Sequence, residues 1–300
     1  MLSTPAKRIV ALSPHIVENL FSAGLGEKIV ASVSYADYPA AAKNIPRIGG
    51  FSNFSVESII AHQPDLVIGW ASGFAGFAAL RERLEQLGIA VYVDDPRSPH
   101  DIPRSIADFA QLGGSDKNWQ AAVAQYTAQL QQLQQHPAVP NANVDSAAAT
   151  DRARAKTQTL MDTEVSVFYE IWHRPLQTLN GEHIVSELIQ LCGGRNIFAD
   201  AAVIAPNINV ESLLAADPDV IIASASDNKR PLWLEQWQQW PALRAVQSQH
   251  IYFIPGDLLS RHSLRIAEGA AMLCEYIDRV RQARKATRNA RPLAIDARLQ

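Results

Sequence analysis

His15, Tyr35, Trp70, Trp172, His173, Asp257 and Arg261 are the side chains of this chain best suited to recognition chemistry, and each follows a run that reads as a β-strand. Open α/β sheets bind ligands at the C-terminal ends of their strands. Flat aromatic faces in that position suit a flat, largely apolar ligand, and Asp257 with Arg261 could fix its polar rim. Each residue also has a plainer use. Trp70 could cap a core, His15 could satisfy backbone groups in a helical first turn, and Asp257 with Arg261 could form a surface ion pair of little energetic weight. Trp233, Trp237 and Trp240, at helical spacing, read as packing. Enzyme signatures are missing: no GxGxxG after a strand, no GxxxxGK[ST], no GxSxG and no HExxH occurs.

The elements that must position these residues are organised by a repeat. FSVESIIAHQPDLVIGWAS, from Phe54, and INVESLLAADPDVIIASAS, from Ile208, match at 9 of 19 positions without a gap. In each copy Ser55 or Asn209 can cap a helix, and Glu57 or Glu211 sits in the first turn, where the helix dipole favours a carboxylate. Pro64-Asp65 or Pro218-Asp219 then ends the helix and feeds an apolar run typical of a strand buried on both faces of a parallel sheet. Matching carboxylates on two lobes would also suit docking to a basic partner of two-fold symmetry.

Around the repeat, strands are expected at 8–12, 29–33, 89–93, 165–171 and 250–255. Helices are expected from Pro14 to Gly24, and at 77–88, 102–112, 184–194 and 263–284. A polar helix over 115–135 stands between the two halves, about 30 Å long at about 1.5 Å per residue. The fold expected is therefore α/β, with two similar lobes, each a mainly parallel sheet flanked by helices. The lobes divide as 1–114 and 164–284, joined by a connecting helix at 115–136, with a ligand cleft between them. A polar insertion occupies 137–163, and 285–300 is a basic, disordered tail.

Composition agrees with a globular chain: 300 residues, 47% apolar and 19% charged. Arg279 to Gln300 holds seven Lys and Arg against one Asp, leaving 20 basic and 29 acidic residues elsewhere, so the body is no nucleic-acid binder by charge. Contact of the basic end with anionic lipid is a minor reading. No apolar run approaches the roughly 18 residues of a membrane span, and as given the chain is cytosolic or already processed. Cys192 and Cys274 lack CxxC spacing. They read either as two buried thiols or as a disulfide closing a loop of about 80 residues in an oxidising compartment.

The segments RIVALSPHIVENLFSAG, VSYADYP, FSVESIIAHQPDLVIGW, FYEIWHRPLQTLNG to LCGGRNIF, INVESLLAADPDVII, and GDLLSRHSLRI with Cys274 after it carry a resemblance over most of Arg8 to Arg281. They resemble periplasmic substrate-binding proteins of ABC importers, in the class whose lobes are joined by a long helix and which serves cobalamin, haem and iron-siderophore uptake. The likeness is nearest to the cobalamin-binding members. It implies that Pro14, Tyr35, Phe51, Trp70, Trp172, Asp257 and Arg261 match or neighbour positions lining a corrinoid cleft, with His15 and His173 beside them. It further implies that Glu57 and Glu211 meet arginines on two permease subunits, and that Cys192 pairs with Cys274.

Its functional implication is a periplasmic, monomeric, non-catalytic receptor, with its signal peptide absent from the given chain. Such a receptor delivers cobalamin or a related corrinoid to an inner-membrane ABC permease dimer with ATPase subunits, and has no resident metal or cofactor. There are departures. Phe51 and Ala205 stand where the best-known cobalamin-binding relative has Trp, His15 and His173 are not what that relative carries, and 141–159 is extra. These keep haem or an iron-siderophore open as ligand. His15 or His173 could approach the cobalt as an axial ligand. An enzyme on a similar scaffold, a chelatase or nitrogenase-like reductase, would need a cofactor site that two cysteines and scattered histidines do not supply.

Overall fold

In the computed structural model, residues 4–50, 54–71, 77–134, 164–225 and 228–290 are described. The chain divides into two compact units. Unit 1 holds Met1–Gln129 with Arg261–Ile266, and unit 2 holds Leu130–Ser260 with Ala267–Gln300.

Unit 1 carries β1 (Ile9–Ala11), α1 (Pro14–Ser22), β2 (Ile29–Ser32), α2 (Val56–Ile60), β3 (Leu66–Trp70), α3 (Phe77–Gln86), β4 (Ala90–Asp94) and α4 (Ile102–Gly113). Its strands form one parallel sheet in the order β2-β1-β3-β4. β1 is buried throughout and β3 at every residue but Trp70, which accounts for their unbroken apolar composition. α4 buries Ile102, Ser105, Ile106, Phe109, Ala110 and Gly113, spaced for one helical face, and stops at Gly114, whose φ of 61° is left-handed.

The unit boundary falls inside α5 (Trp119–Gln134), 16 residues against the longer helix expected. Unit 2 then carries β5 (Val165–Glu170), α6 (Ile184–Leu191), β6 (Gly194–Asn196), α7 (Val210–Ala216), β7 (Val220–Ala225), a 3₁₀ helix at Leu232–Gln239, α8 (Arg244–Gln247), β8 (Ile251–Pro255) and α9 (Asp257–Ser260). Its sheet is again parallel, in the order β6-β5-β7-β8, so it repeats the topology of the first strand for strand.

The repeat identified in the sequence folds alike in both places. The Ser55 hydroxyl accepts from the Ser58 N–H at 3.1 Å, and Asn209 Oδ1 accepts from the Ser212 N–H at 2.7 Å. Before each Pro-Asp pair stands a residue with positive φ, Gln63 at 47° and Asp217 at 40°, so the helix is already turned aside when the proline arrives. The aspartate has a second task. Asp65 accepts from the N–H groups of Lys7 and Arg8 at 2.8 and 3.0 Å, and Asp219 accepts from the N–H and hydroxyl of Ser166 at 2.9 and 2.8 Å. Each thus anchors the start of the neighbouring strand, β1 or β5.

Four sequence expectations are corrected. The stretch 184–194 is not one helix, because Gly194–Asn196 pairs beside β5 as an edge strand; a Cβ at Gly194 would lie 2.9 Å from Ile277 Cδ1. The last helix, α10 (Ile266–Ala290), runs six residues past the end expected for it. The expected tail therefore begins as helix, and 291–300 lie outside the described residues, as do the insertion at 137–163 and Phe51. Three arginines at this basic end have structural partners. Arg279 pairs with Glu275, Arg281 with Asp278 and with the Cys192 and Gly193 carbonyls, and Arg284 with Asp219 and the Glu164 carbonyl. Finally, Arg261–Ile266 groups with unit 1 and not with the C-terminal half in which it occurs.

Candidate functional site

Both sheets change winding direction between their first and third strands, and an open α/β sheet has its crevice there. In unit 1 the residues after β1 and β3 meet. Ser13 holds the N-cap position of α1 without capping it; its hydroxyl bonds instead to His15 Nδ1 at 2.6 Å. The His15 ring is buried, edge-on to Trp70 at 5.0 Å and 5.8 Å from the ring of His262, while Trp70 is edge-on to His262 at 5.5 Å. His262 Nδ1 donates to the Pro96 carbonyl at 3.1 Å. Burial drives the His15 pKa well below its ordinary value, with His262 and Arg261 adding repulsion, and takes His262 down to about 4. The crevice of unit 1 is therefore lined by its own neutral rings.

His262 arrives there on the six-residue strap Arg261–Ile266, which α1 holds. Glu18, 3% exposed, accepts from Arg261 Nη1 at 2.9 Å, Ser263 Oγ at 2.6 Å and Arg265 Nη1 at 3.3 Å; Asn19 Nδ2 donates to the His262 carbonyl at 2.9 Å. Burial raises the Glu18 pKa in spite of these donors. Arg261 also reaches Asp37 at 2.9 Å and the Tyr35 carbonyl at 3.0 Å. Tyr35 itself is exposed, with a left-handed φ of 66°, and Tyr38 lies under the Arg265 guanidinium at 4.2 Å. Pro14 opens α1, half-buried.

In unit 2 the corresponding crevice is open. A pocket of about 650 Å³ lies beyond β5 and β7, lined by Trp172, His173 and Arg174 on one side and by Ser224, Leu232, Trp233 and Gln236 among the rest. The His173 ring stacks on Trp233 at 4.8 Å and 12°. Its Nδ1 lies 2.9 Å from Glu170 Oε1 and its Nε2 lies 3.0 Å from Gln236 Oε1. Glu170 closes β5 fully buried, and its other oxygen accepts from Trp237 Nε1 at 2.8 Å. Burial raises its pKa, opposed by His173 and Trp237. Trp172 is 55% exposed, with its Nε1 donating to the Arg174 carbonyl at 2.8 Å.

Residues 9–258 match the model of the periplasmic binding protein family. The chain belongs to that family. It is 31% identical over 281 residues to the vitamin B12-binding protein of Vibrio campbellii, covering 93% of this chain and 92% of that one. The crystal structure of the periplasmic vitamin B12 binding protein BtuF of Vibrio cholerae aligns with a TM-score of 0.76 at 29% identity, over 93% of this chain and 99% of that chain. The periplasmic heme-binding protein RhuT of Roseiflexus sp. RS-1 aligns with a TM-score of 0.71 at 21% identity, over 92% and 100%, which is a likeness of fold alone.

In this periplasmic binding protein Cys192 and Cys274 form a disulfide, with Cα atoms 4.7 Å apart. Of the two alternatives the residues left open, the bridge is the one present. No helix among the described residues is long and apolar enough to cross a membrane. Glu57 and Glu211 are exposed in the first turns of α2 and α7.

Asp257 and Arg261 are each 8% exposed, which removes the surface-pair alternative; Asp257 Oδ2 accepts from Asn228 Nδ2 at 2.8 Å. His15 is enclosed, and both ring nitrogens of His173 face oxygens. Trp237 is core and Trp233 and Trp240 pack against it, as their spacing suggested; Trp233 also lines the pocket. Glu18, Glu170, Arg174, Gln236 and His262 join these sites without belonging to any motif of the sequence. Glu170, a charge inside the apolar run VSVFYEI, was the available signal.

Proposed function

We propose that this chain is a non-catalytic receptor that binds cobalamin or a related corrinoid in the periplasm and hands it to an inner-membrane ABC permease dimer with its ATPase subunits. The observation that carries this reading is the open pocket of unit 2. Trp172 exposes a broad apolar face and His173 is stacked on Trp233, so the pocket presents flat surfaces while burying few charges. The vitamin B12-binding names of the similar proteins point the same way.

Trp172 and His173 are the ligand contacts assigned in unit 2, with Asp257 positioned by Asn228. In unit 1 Tyr35, Trp70 and Arg261, beside Pro14 and His15, keep the ligand-lining role that the resemblance implies. Glu57 and Glu211, at equivalent capped helix starts, take the role of docking carboxylates. The receptor acts as a monomer.

Calorimetric titration with cyanocobalamin tests the ligand. Saturable binding with a dissociation constant at or below about 1 μM, or about −8 kcal/mol, is expected. No heat at micromolar protein would overturn the corrinoid reading, and a Soret shift on adding hemin with no response to cyanocobalamin would replace it with a haem one.

A further inference from the structure

Resting on the corrinoid reading, we propose that Arg174 binds the phosphodiester of a corrinoid that carries its nucleotide loop, so that the protein separates cobalamin from loop-less corrinoids. The donors and acceptors around His173 set the charge of the pocket wall. Gln236 Oε1 receives both Arg174 Nη2, at 3.2 Å, and His173 Nε2, at 3.0 Å. Because a guanidinium can only donate, the amide oxygen faces both partners, and Nε2 of His173 must carry a proton. Nδ1 faces Glu170 Oε1, so the remaining proton lies between that nitrogen and the carboxyl oxygen. Wherever it sits, Glu170 and His173 together are neutral.

That neutral couple leaves Arg174 as the charge on the pocket wall. Its guanidinium is exposed, is steadied by Gln236, and has no carboxylate partner among the described residues. Arg230, a short way along the chain from the pocket wall, shows the contrast: it is paired with Glu235 at 2.9 Å. The remaining lining is neutral, with Ala225, Pro231, Leu232 and the two tryptophans supplying apolar surface and Ser224 one hydroxyl. A cation set in an apolar, aromatic wall suits a ligand whose single anionic group adjoins a flat base.

Cobalamin has that pattern. Its corrin periphery carries neutral amides, and outside the cobalt–corrin centre its one anionic group is the phosphodiester linking the corrin to the benzimidazole nucleotide. The planar fork of an arginine matches two phosphate oxygens at once, and Trp172 offers the base a face.

Titration of cyanocobalamin and dicyanocobinamide, which lacks the loop, into wild type and Arg174→Gln tests the assignment. The variant should bind cyanocobalamin about tenfold more weakly while cobinamide affinity stays within about twofold, since only the first ligand has the charge. Added salt should weaken cyanocobalamin binding to wild type more than to the variant. Equal weakening of both ligands, or of neither, overturns the proposal. Wild type that binds neither corrinoid overturns instead the functional reading beneath it. Arg174 is exposed, so a matching melting temperature for the variant will show that affinity and not folding has changed.

Discussion

In unit 1 the crevice at the sheet's switch point contains His15, Trp70 and His262 packed against one another, whereas in unit 2 the crevice at the same place is an open pocket with His173 on its wall. The sheets have the same strand order and the repeat is capped alike, so topology does not make the difference. Two local facts do. Unit 1 receives a strap that brings His262 to Trp70, and β7 offers Ser224 where β3 offers Trp70. A duplicated architecture therefore sets where a site can be, and the side chains at the strand ends decide whether the space is filled.

The strap supplies the strongest test of this contrast. Glu18→Ala removes the acceptor of three strap side chains and leaves Arg261 buried with one carboxylate fewer, a change expected to cost about 3 to 5 kcal/mol. Hydrogen exchange should show the loss in the amides of unit 1, with those of β5 and β7 unchanged. An equal loss of protection in both units would break the comparison.

Protonation gives a smaller effect. The folded pKa of His262 is about 4 against an ordinary value of 6.5, so the unfolded chain binds more protons across that interval and the folded state loses stability as pH falls through it. The slope is roughly 1.4 kcal/mol per pH unit. Asp94 acts in the opposite sense. Burial raises its carboxyl to about 6, and its contribution grows as pH falls below that value. Comparison of wild type with His262→Gln cancels Asp94, and between pH 6.5 and 5 the stability difference should move by roughly 2 kcal/mol in favour of the variant. A pH-independent difference would mean that the ring is solvated and the crevice is not closed.

The smallest effect should be the most symmetrical. Ser55→Ala and Asn209→Ala each remove one capping bond, and each should cost about 1 kcal/mol in thermal or denaturant unfolding. Costs differing by more than about a factor of two would show that the capped helices contribute differently to their units.

The fold was largely legible because parallel strands buried on both faces write unbroken apolar runs, and because the Pro-Asp pair marks the same junction twice. What escaped was specified by tertiary contact. Gly194–Asn196 has no strand-forming composition and is a strand only because β5 offers it an edge. The spacing of Trp233 and Trp237 predicts one packing face in an α-helix, where positions four apart lie about 40° from each other. The segment is a 3₁₀ helix, where the same spacing separates them by about 120°, so Trp237 enters the core while Trp233, packed against that core from its edge, also reaches the pocket. Of the proposed ligand contacts, those at strand ends could be named from position alone. Their supports, Glu170, Gln236 and Glu18, lie from 3 to 243 residues away from the ligand contacts they hold, and no local pattern announces them.

The strap also bears on how this molecule could be taken apart. A gene fragment stopping at Gln129 would encode every strand of the first sheet yet omit Arg261, Ser263 and Arg265, leaving the Glu18 carboxylate in an apolar setting without those donors. The complementary fragment would keep the strap with nothing to receive it. An excised first half would therefore need those six residues grafted back, for instance by circular permutation, before it could be expected to stand alone.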